Sequence, residues 1–125
     1  MRAFIRSRLR SFYYAFEGWG HMLRNEPNSW IHAFMSVAAL IVAAWLHLAV
    51  HDWAVLLLTI AIVWAAEFFN TAIENVVDLA SPQEHPLAKV SKDVSAAGVL
   101  LAAITAVLVG LLILGPPLWQ KIQSF

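Results

Sequence analysis

The stretch 94–114 is twenty-one residues with no charged side chain at all. About twenty residues at 1.5 Å rise cross a hydrocarbon layer of roughly 30 Å, so this stretch is long enough to span a bilayer. A second stretch, 31–50, is broken only by His32, Ser36 and His47. A third begins at Trp53, runs apolar to Ala66, and then meets Glu67, Asn70, Glu74 and Asp78. Its helical pattern continues to 79, which predicts one long helix with polar chemistry on one side of its last turns. Hydrophobic residues make up 61% of the 125-residue chain and charged residues 13%, about half the charged share of a soluble domain. The chain therefore reads as a single all-α membrane domain, 1–125, with spans at 31–50, 53–79 and 94–114.

The turns fit that reading. His51-Asp52 predicts a short polar joint between the first two spans. Ser81-Pro82 predicts the end of the second, because proline disfavours helix in the residue before it. Pro86 predicts an irregular segment after it, and Gly115-Pro116-Pro117 predicts the end of the third span. The N-terminus lacks the long apolar core and small-residue cleavage pattern of a removable signal. Arg2, Arg6, Arg8, Arg10 and Arg24 precede the first span, and Lys89 and Lys92 lie between the second and third. The positive-inside rule places the N-terminus and the 80–93 loop in the cytoplasm and the C-terminus outside.

Residues 3–24 form a different element. On a helical wheel Ile5, Leu9, Phe12, Tyr13, Phe16, Trp19 and Leu23 fall within an arc of roughly 120°, beside a stripe of Arg6, Arg10, Glu17, His21 and Arg24. An aromatic face next to an arginine-bearing face predicts a helix lying in the cytoplasmic headgroup region. In the third span Gly98, Ala102, Ala106 and Gly110 recur at steps of four, a pattern that lets another helix approach closely. The zero net charge argues against a nucleic-acid partner. The absence of cysteine excludes disulfides, thiolate metal sites and a cysteine nucleophile.

The chemistry concentrates at one end of the second span. Glu67, Asn70, Thr71, Glu74 and Asp78 lie within about 50° of one line on a helix. Three carboxylates in a row near a bilayer need partners or water. Two further polar segments fall on the same membrane side: Arg24–Asn28, and the run from Ser81 to Asp93. Glu26 and Glu74 could share one Mg²⁺, a cation that takes oxygen ligands and keeps several waters. Lys92 could face a phosphate, and Glu67, deeper among apolar side chains, could serve as a general base. Together these are parts for phosphoryl transfer, although the chain has no phosphate-binding glycine loop and no soluble-kinase motif set. Intramembrane carboxylates also mark proton or ion carriers. The skew of this stripe to one end of its helix speaks against transport.

Glu67–Asp78 reads E-F-F-N-T-A-I-E-N-V-V-D, followed by S-P-Q-E-H-P-L-A-K-V-S-K-D at 81–93 and then A-A-G-V-L-L-A-A. Upstream stand F-x-x-A-F-E-G at 12–18 and R-N-E-P-N-S-W-I-H-A at 24–33. Over roughly residues 12–114 this resembles the small prokaryotic membrane lipid kinases of the diacylglycerol kinase and undecaprenol kinase family. The resemblance implies a homotrimer of subunits with one surface helix and three spans, in the bacterial plasma membrane. It implies transfer of the γ-phosphate of ATP to a lipid alcohol, with Mg²⁺. It implies Glu67 as catalytic base, Asn70 and Asp78 as residues organising the site, and Glu26 and Glu74 as metal ligands. It also implies nucleotide contacts from Tyr14, Glu26, Glu74, Gln83, Glu84, His85, Lys92 and Asp93, with Glu67 and Trp30 at the lipid. Glu84 stands where an aromatic is common, which puts adenine stacking there in doubt. The H-P-L-A-K and N-x-x-I-H runs look more like the undecaprenol kinase branch, so undecaprenol is the expected acceptor and diacylglycerol the alternative.

Overall fold

The computed structural model describes residues 1–124, apart from the side chains of residues 2 and 3. It contains four helices: α1 (Arg2–Asn25), α2 (Pro27–Trp45), α3 (Val50–Ala80) and α4 (Pro86–Gln123). Three of them, α2, α3 and α4, are long and apolar enough to cross a membrane. The chain forms two compact units, Met1–Phe34 and Met35–Phe125; the boundary falls within α2.

In the first unit, α1 matches the predicted surface helix to within a residue or two. Its aromatic side chains Phe4, Phe12, Tyr13 and Phe16 are exposed, and the Arg8 guanidinium lies 5.0 Å from the centre of the Phe4 ring. The joint to α2 is a single extended residue, Glu26 (φ −107, ψ 106). Proline at 27 enforces it, since the residue before proline is pushed out of the helical region while proline itself suits a first helical position. The Glu26 backbone closes both helices: its N–H donates to Met22 O and its carbonyl accepts from Ser29 N–H.

In the second unit, α3 and α4 pack along each other. The buried side chains of α3 are Leu56, Val63, Trp64, Glu67 and Thr71; their spacing marks one face of a 3.6-residue helix. Trp64 Nε1 donates to Ser36 Oγ of α2 at 3.2 Å. Large apolar side chains elsewhere on α3 and α4, such as Leu57, Leu58, Leu101, Leu111 and Leu112, stay exposed. Within a bilayer such surfaces meet lipid or another helix rather than water.

Three predicted boundaries are corrected. The joint between the first two spans is 46–49, not His51-Asp52. Its stop is a left-handed residue, His47 (φ 55), with Leu48 N–H bonded to Ala43 O and His47 N–H to Ala44 O. This is the double bond pattern that closes helices when the residue after the cap turns left-handed. His51 and Asp52 instead open α3 and touch at 3.0 Å, where an acidic residue in the first turn favours the helix dipole. Pro86 does not keep the chain irregular: it begins α4, and His85 caps it, the ring Nδ1 accepting from Leu87 N–H at 3.1 Å.

The third correction concerns the end of α4, which runs through Gly115-Pro116-Pro117 to Gln123. Two prolines remove only the bonds to the carbonyls of Leu112 and Ile113. A stop at 114 would leave four terminal carbonyls without helical partners close to apolar surroundings. The extension also has an anchor. Lys121 Nζ donates to Trp45 O at 3.0 Å and lies 4.5 Å from the Trp45 ring centre. A cation from the end of α4 thus caps a terminal carbonyl of α2.

The small-residue stripe of α4 is used only in its middle. Ala102 is buried and Ala106 half-buried, while a side chain added at Gly98 or Gly110 would meet nothing within 4 Å.

Replacing Lys121 by Met keeps the apolar stem but removes the cap and the cation. We expect it to lower stability by about 1 kcal/mol, read as a lower thermal midpoint in detergent.

Candidate functional site

The α3 stripe runs from buried to open. Glu67 is 3% exposed, Asn70 and Glu74 are half-buried, and Asp78 lies at the open end. Only the deepest of the three carboxylates shares the packed face with Val63, Trp64 and Thr71.

Two polar rungs tie this stripe to the first turns of α4. At the deeper rung Ser95 Oγ donates to Asn70 Oδ1 at 2.7 Å, and Asn70 Nδ2 donates to Glu74 Oε1 at 3.2 Å. Ser95 Oγ also lies 2.9 Å from Lys92 O. At the outer rung Lys92 Nζ and Asp78 Oδ1 are 2.5 Å apart, with side chains 37% and 64% exposed. An exposed pair of this kind adds little stability. Its effect is positional: Lys92 keeps further donors free beside an acidic neighbour.

Beyond the outer rung the 81–85 turn folds over an open pocket of about 860 Å³, lined by Asp78, Gln83, Glu84, His85, Lys89 and Lys92 among others. Ser81 Oγ donates to Gln83 O at 2.9 Å, which tightens the turn after Pro82. The pocket therefore gathers Asp78, Gln83, Glu84, His85 and Lys92 of the predicted site. Asp93 does not join them: it pairs with Lys89 one turn back on α4, at 2.5 Å between Nζ and Oδ2.

Tyr14, Glu26 and Trp30 belong to the Met1–Phe34 unit. Tyr14 and Trp30 are exposed, and Tyr14 meets the Tyr13 ring edge-on at 5.8 Å between centres. Tyr13 titrates above its ordinary value, because its phenol donates to the Glu17 carboxylate and the charge of Glu17 opposes a second anion. Glu26 is half-buried between α1 and α2.

Among the described residues no three His, Asp or Glu side chains cluster as a ready-made metal cage. The donors fit Mg²⁺ nonetheless. Glu74 has one carboxylate oxygen occupied by Asn70 and a second oxygen beyond that bond, and Mg²⁺ commonly takes one or two carboxylates and completes its shell with water and phosphate oxygens.

Sequence reasoning missed Ser95, which supplies the deeper rung. The signal lay in its position: it is a small hydroxyl one turn after Lys92, at the edge of the uncharged stretch of α4.

Residues 13–114 match the family described as prokaryotic diacylglycerol kinase. Over 111 residues the chain is 48% identical to a diacylglycerol kinase of Synechocystis sp. (strain ATCC 27184 / PCC 6803 / Kazusa), covering 88% of this chain and 63% of that protein. Over 109 residues it is 38% identical to an undecaprenol kinase of Bacillus subtilis (strain 168), covering 87% of this chain and 89% of that one. Over 70 residues it is 36% identical to a diacylglycerol kinase of Escherichia coli (strain K12), covering 56% and 57%. The chain thus spans less than two thirds of both diacylglycerol kinases and nearly all of the undecaprenol kinase.

Asn70→Leu breaks the deeper rung and strands the Glu74 contact. We expect a loss of about 1–3 kcal/mol, measured by thermal unfolding in detergent, because Glu74 loses its Asn70 donor and Ser95 its acceptor on α3, leaving it only the Lys92 carbonyl.

Proposed function

The chain belongs to the prokaryotic diacylglycerol kinase family, and from that membership we propose that it is an ATP- and Mg²⁺-dependent lipid kinase. In this reading it moves the γ-phosphate of ATP to the hydroxyl of a membrane lipid alcohol. The observation that carries the site assignment is the graded stripe on α3. A buried carboxylate, Glu67, sits two turns below Glu74, and the lysine-bearing pocket opens beyond.

The roles follow from position. The lipid hydroxyl oxygen attacks the γ-phosphorus and its proton passes to Glu67. The bond from that phosphorus to the β-phosphate oxygen breaks, and ADP leaves. Glu67 suits the base because it is the buried carboxylate of the stripe, on the side away from the open, hydrated pocket where a nucleotide would approach. Lys92, held by Asp78, faces the phosphates with its remaining donors. Asn70 fixes Glu74. Glu74, with Glu26 from the α1–α2 joint, would hold Mg²⁺, which neutralises phosphate charge when bound. Gln83, Glu84 and His85, and Tyr14 from α1, complete the nucleotide contacts, and Trp30 meets the lipid. Asp93 acts by holding Lys89 at the pocket wall.

The exposed apolar faces of α2, α3 and α4 support assembly as a homotrimer in the bacterial plasma membrane. The N-terminus and the 81–93 segment are then cytoplasmic and the C-terminus outside, as the arginine and lysine bias requires.

Undecaprenol is the proposed acceptor. The match over nearly the whole length of the Bacillus undecaprenol kinase supports it. Diacylglycerol is the second reading, favoured by the higher identity to the Synechocystis diacylglycerol kinase. Purified protein in mixed micelles, given labelled ATP, Mg²⁺ and the two lipids separately and in competition, decides between them. Preferential labelling of undecaprenol is expected; preferential labelling of diacylglycerol replaces the first reading with the second.

Glu67→Gln should lower kcat by about a hundredfold or more and leave nucleotide binding largely intact. A variant with near-native kcat would remove Glu67 as the base. Glu26→Ala and Glu74→Ala should each raise the Mg²⁺ concentration needed for half-maximal rate. An unchanged Mg²⁺ titration would take that residue out of the metal site.

A further inference from the structure

Among the polar side chains between α3 and α4, Ser95 is the one for which neither a role in the reaction nor a place in the motif has been given. We propose that Ser95 is a positioning residue that sets which way the Asn70 amide points, and through it the carboxylate of Glu74. The inference rests on the proposed kinase reading only in taking Glu74 as a metal ligand.

An asparagine amide can turn by half a circle without changing its shape. Its orientation is decided by what its neighbours accept and donate. Glu74 only accepts, so it calls for the NH₂ group, and Asn70 Nδ2 stands 3.2 Å from Glu74 Oε1. That preference weakens once Glu74 shares its charge with a cation. A second reference then has to come from the oxygen end of the amide. Ser95 Oγ supplies it, donating to Asn70 Oδ1 at 2.7 Å.

The alternative use of that hydroxyl is the carbonyl of Lys92, at 2.9 Å. Inside a continuous helix that carbonyl already accepts the N–H four residues on. Asn70 Oδ1 belongs to a side chain half-buried between two helices, and helix geometry assigns no backbone N–H to it. The proton is therefore better used on Asn70, and the three residues form a directed chain in which Ser95 donates to Asn70 and Asn70 donates to Glu74. Chains of this kind strengthen their members mutually. Because Ser95 stands on α4 and Glu74 on α3, the chain also makes the set of the metal-facing carboxylate depend on the register between the two helices.

The test compares Ser95→Ala, Ser95→Thr and Ser95→Cys in the full-length protein. Two readouts are used: the Mg²⁺ dependence of lipid phosphorylation, and Mn²⁺ affinity by electron paramagnetic resonance with a non-hydrolysable ATP analogue and no lipid acceptor. Ser95→Ala is expected to raise the apparent Mg²⁺ constant and weaken Mn²⁺ binding by about five- to tenfold, the effect of one lost hydrogen bond, with kcat at saturating Mg²⁺ much less affected. Ser95→Thr, which keeps the hydroxyl, restores both values. Ser95→Cys, a weak donor, falls between, and it replaces the alanine variant as the decisive comparison if that variant fails to fold. Unchanged metal affinity in Ser95→Ala overturns the proposal. So does a loss of kcat alone, or a loss that threonine does not rescue. A wild-type protein that transfers no phosphate overturns the kinase reading instead, and the Mn²⁺ comparison still decides the role of Ser95.

Discussion

Polar groups near a bilayer must find partners within the protein, and α3 and α4 find theirs in each other. Asn70 with Ser95, and Asp78 with Lys92, are bonds between two helices that expose many large apolar side chains along their middle stretches. Apolar packing alone leaves such helices free to slide and rotate, because lipid is as good a neighbour for leucine as another leucine. The rungs remove that freedom at one end. Lys121 on the terminal carbonyl of Trp45 removes it at the other, between α4 and α2. The site is therefore also a structural clamp, and its residues are the ones that fix how the two helices meet.

The gradient along α3 follows from the same constraint. A carboxylate can be buried on a packed helix face only where the surroundings provide for it, and Glu67 has an interaction of its own at that depth. One and two turns further on, Asn70 and Glu74 share a hydrogen bond at half exposure, and Asp78 takes its cation in the open. A single helix thus carries one acidic group suited to an apolar reactant and others suited to a hydrated, charged one. That arrangement suits a reaction whose two substrates come from different phases.

Much of this was legible in the sequence because apolar length and helical spacing are local properties. Three helices long and apolar enough to span, a separate amphipathic helix before them, and the shared stripe of Glu67, Asn70, Glu74 and Asp78 all follow from them. What the sequence misplaced were helix ends, and each miss has a physical cause. Pro86 suggests an irregular segment, but with His85 as cap it occupies a first-turn position, where the N–H has no intrahelical acceptor in any case. Gly115-Pro116-Pro117 was read as a stop, but a stop beside apolar surroundings leaves more carbonyls stranded than two prolines do. The turn at His47 was invisible because histidine, unlike glycine, does not announce a left-handed residue, although it is among the side chains that tolerate one.

Ser95 shows the harder limit. Its role depends on contact across helices, and spacing within α4 does not reveal which residue of α3 it faces. The Lys92–Asp78 pair was within reach of reasoning, because opposite charges at the two sides of a short turn are natural partners. A lone serine in an apolar run reads equally well as a side chain bonding back to its own helix, as Thr59, Ser91 and Thr105 do here. What separates Ser95 from them is an acceptor on the facing helix, the amide oxygen of Asn70. A hydroxyl serves its own backbone by default, and it becomes a bridge only where a neighbour has greater need of the proton. The same test applies to any serine or threonine in a membrane helix: the decisive fact is not its own hydrogen-bonding capacity but the unsatisfied group opposite it.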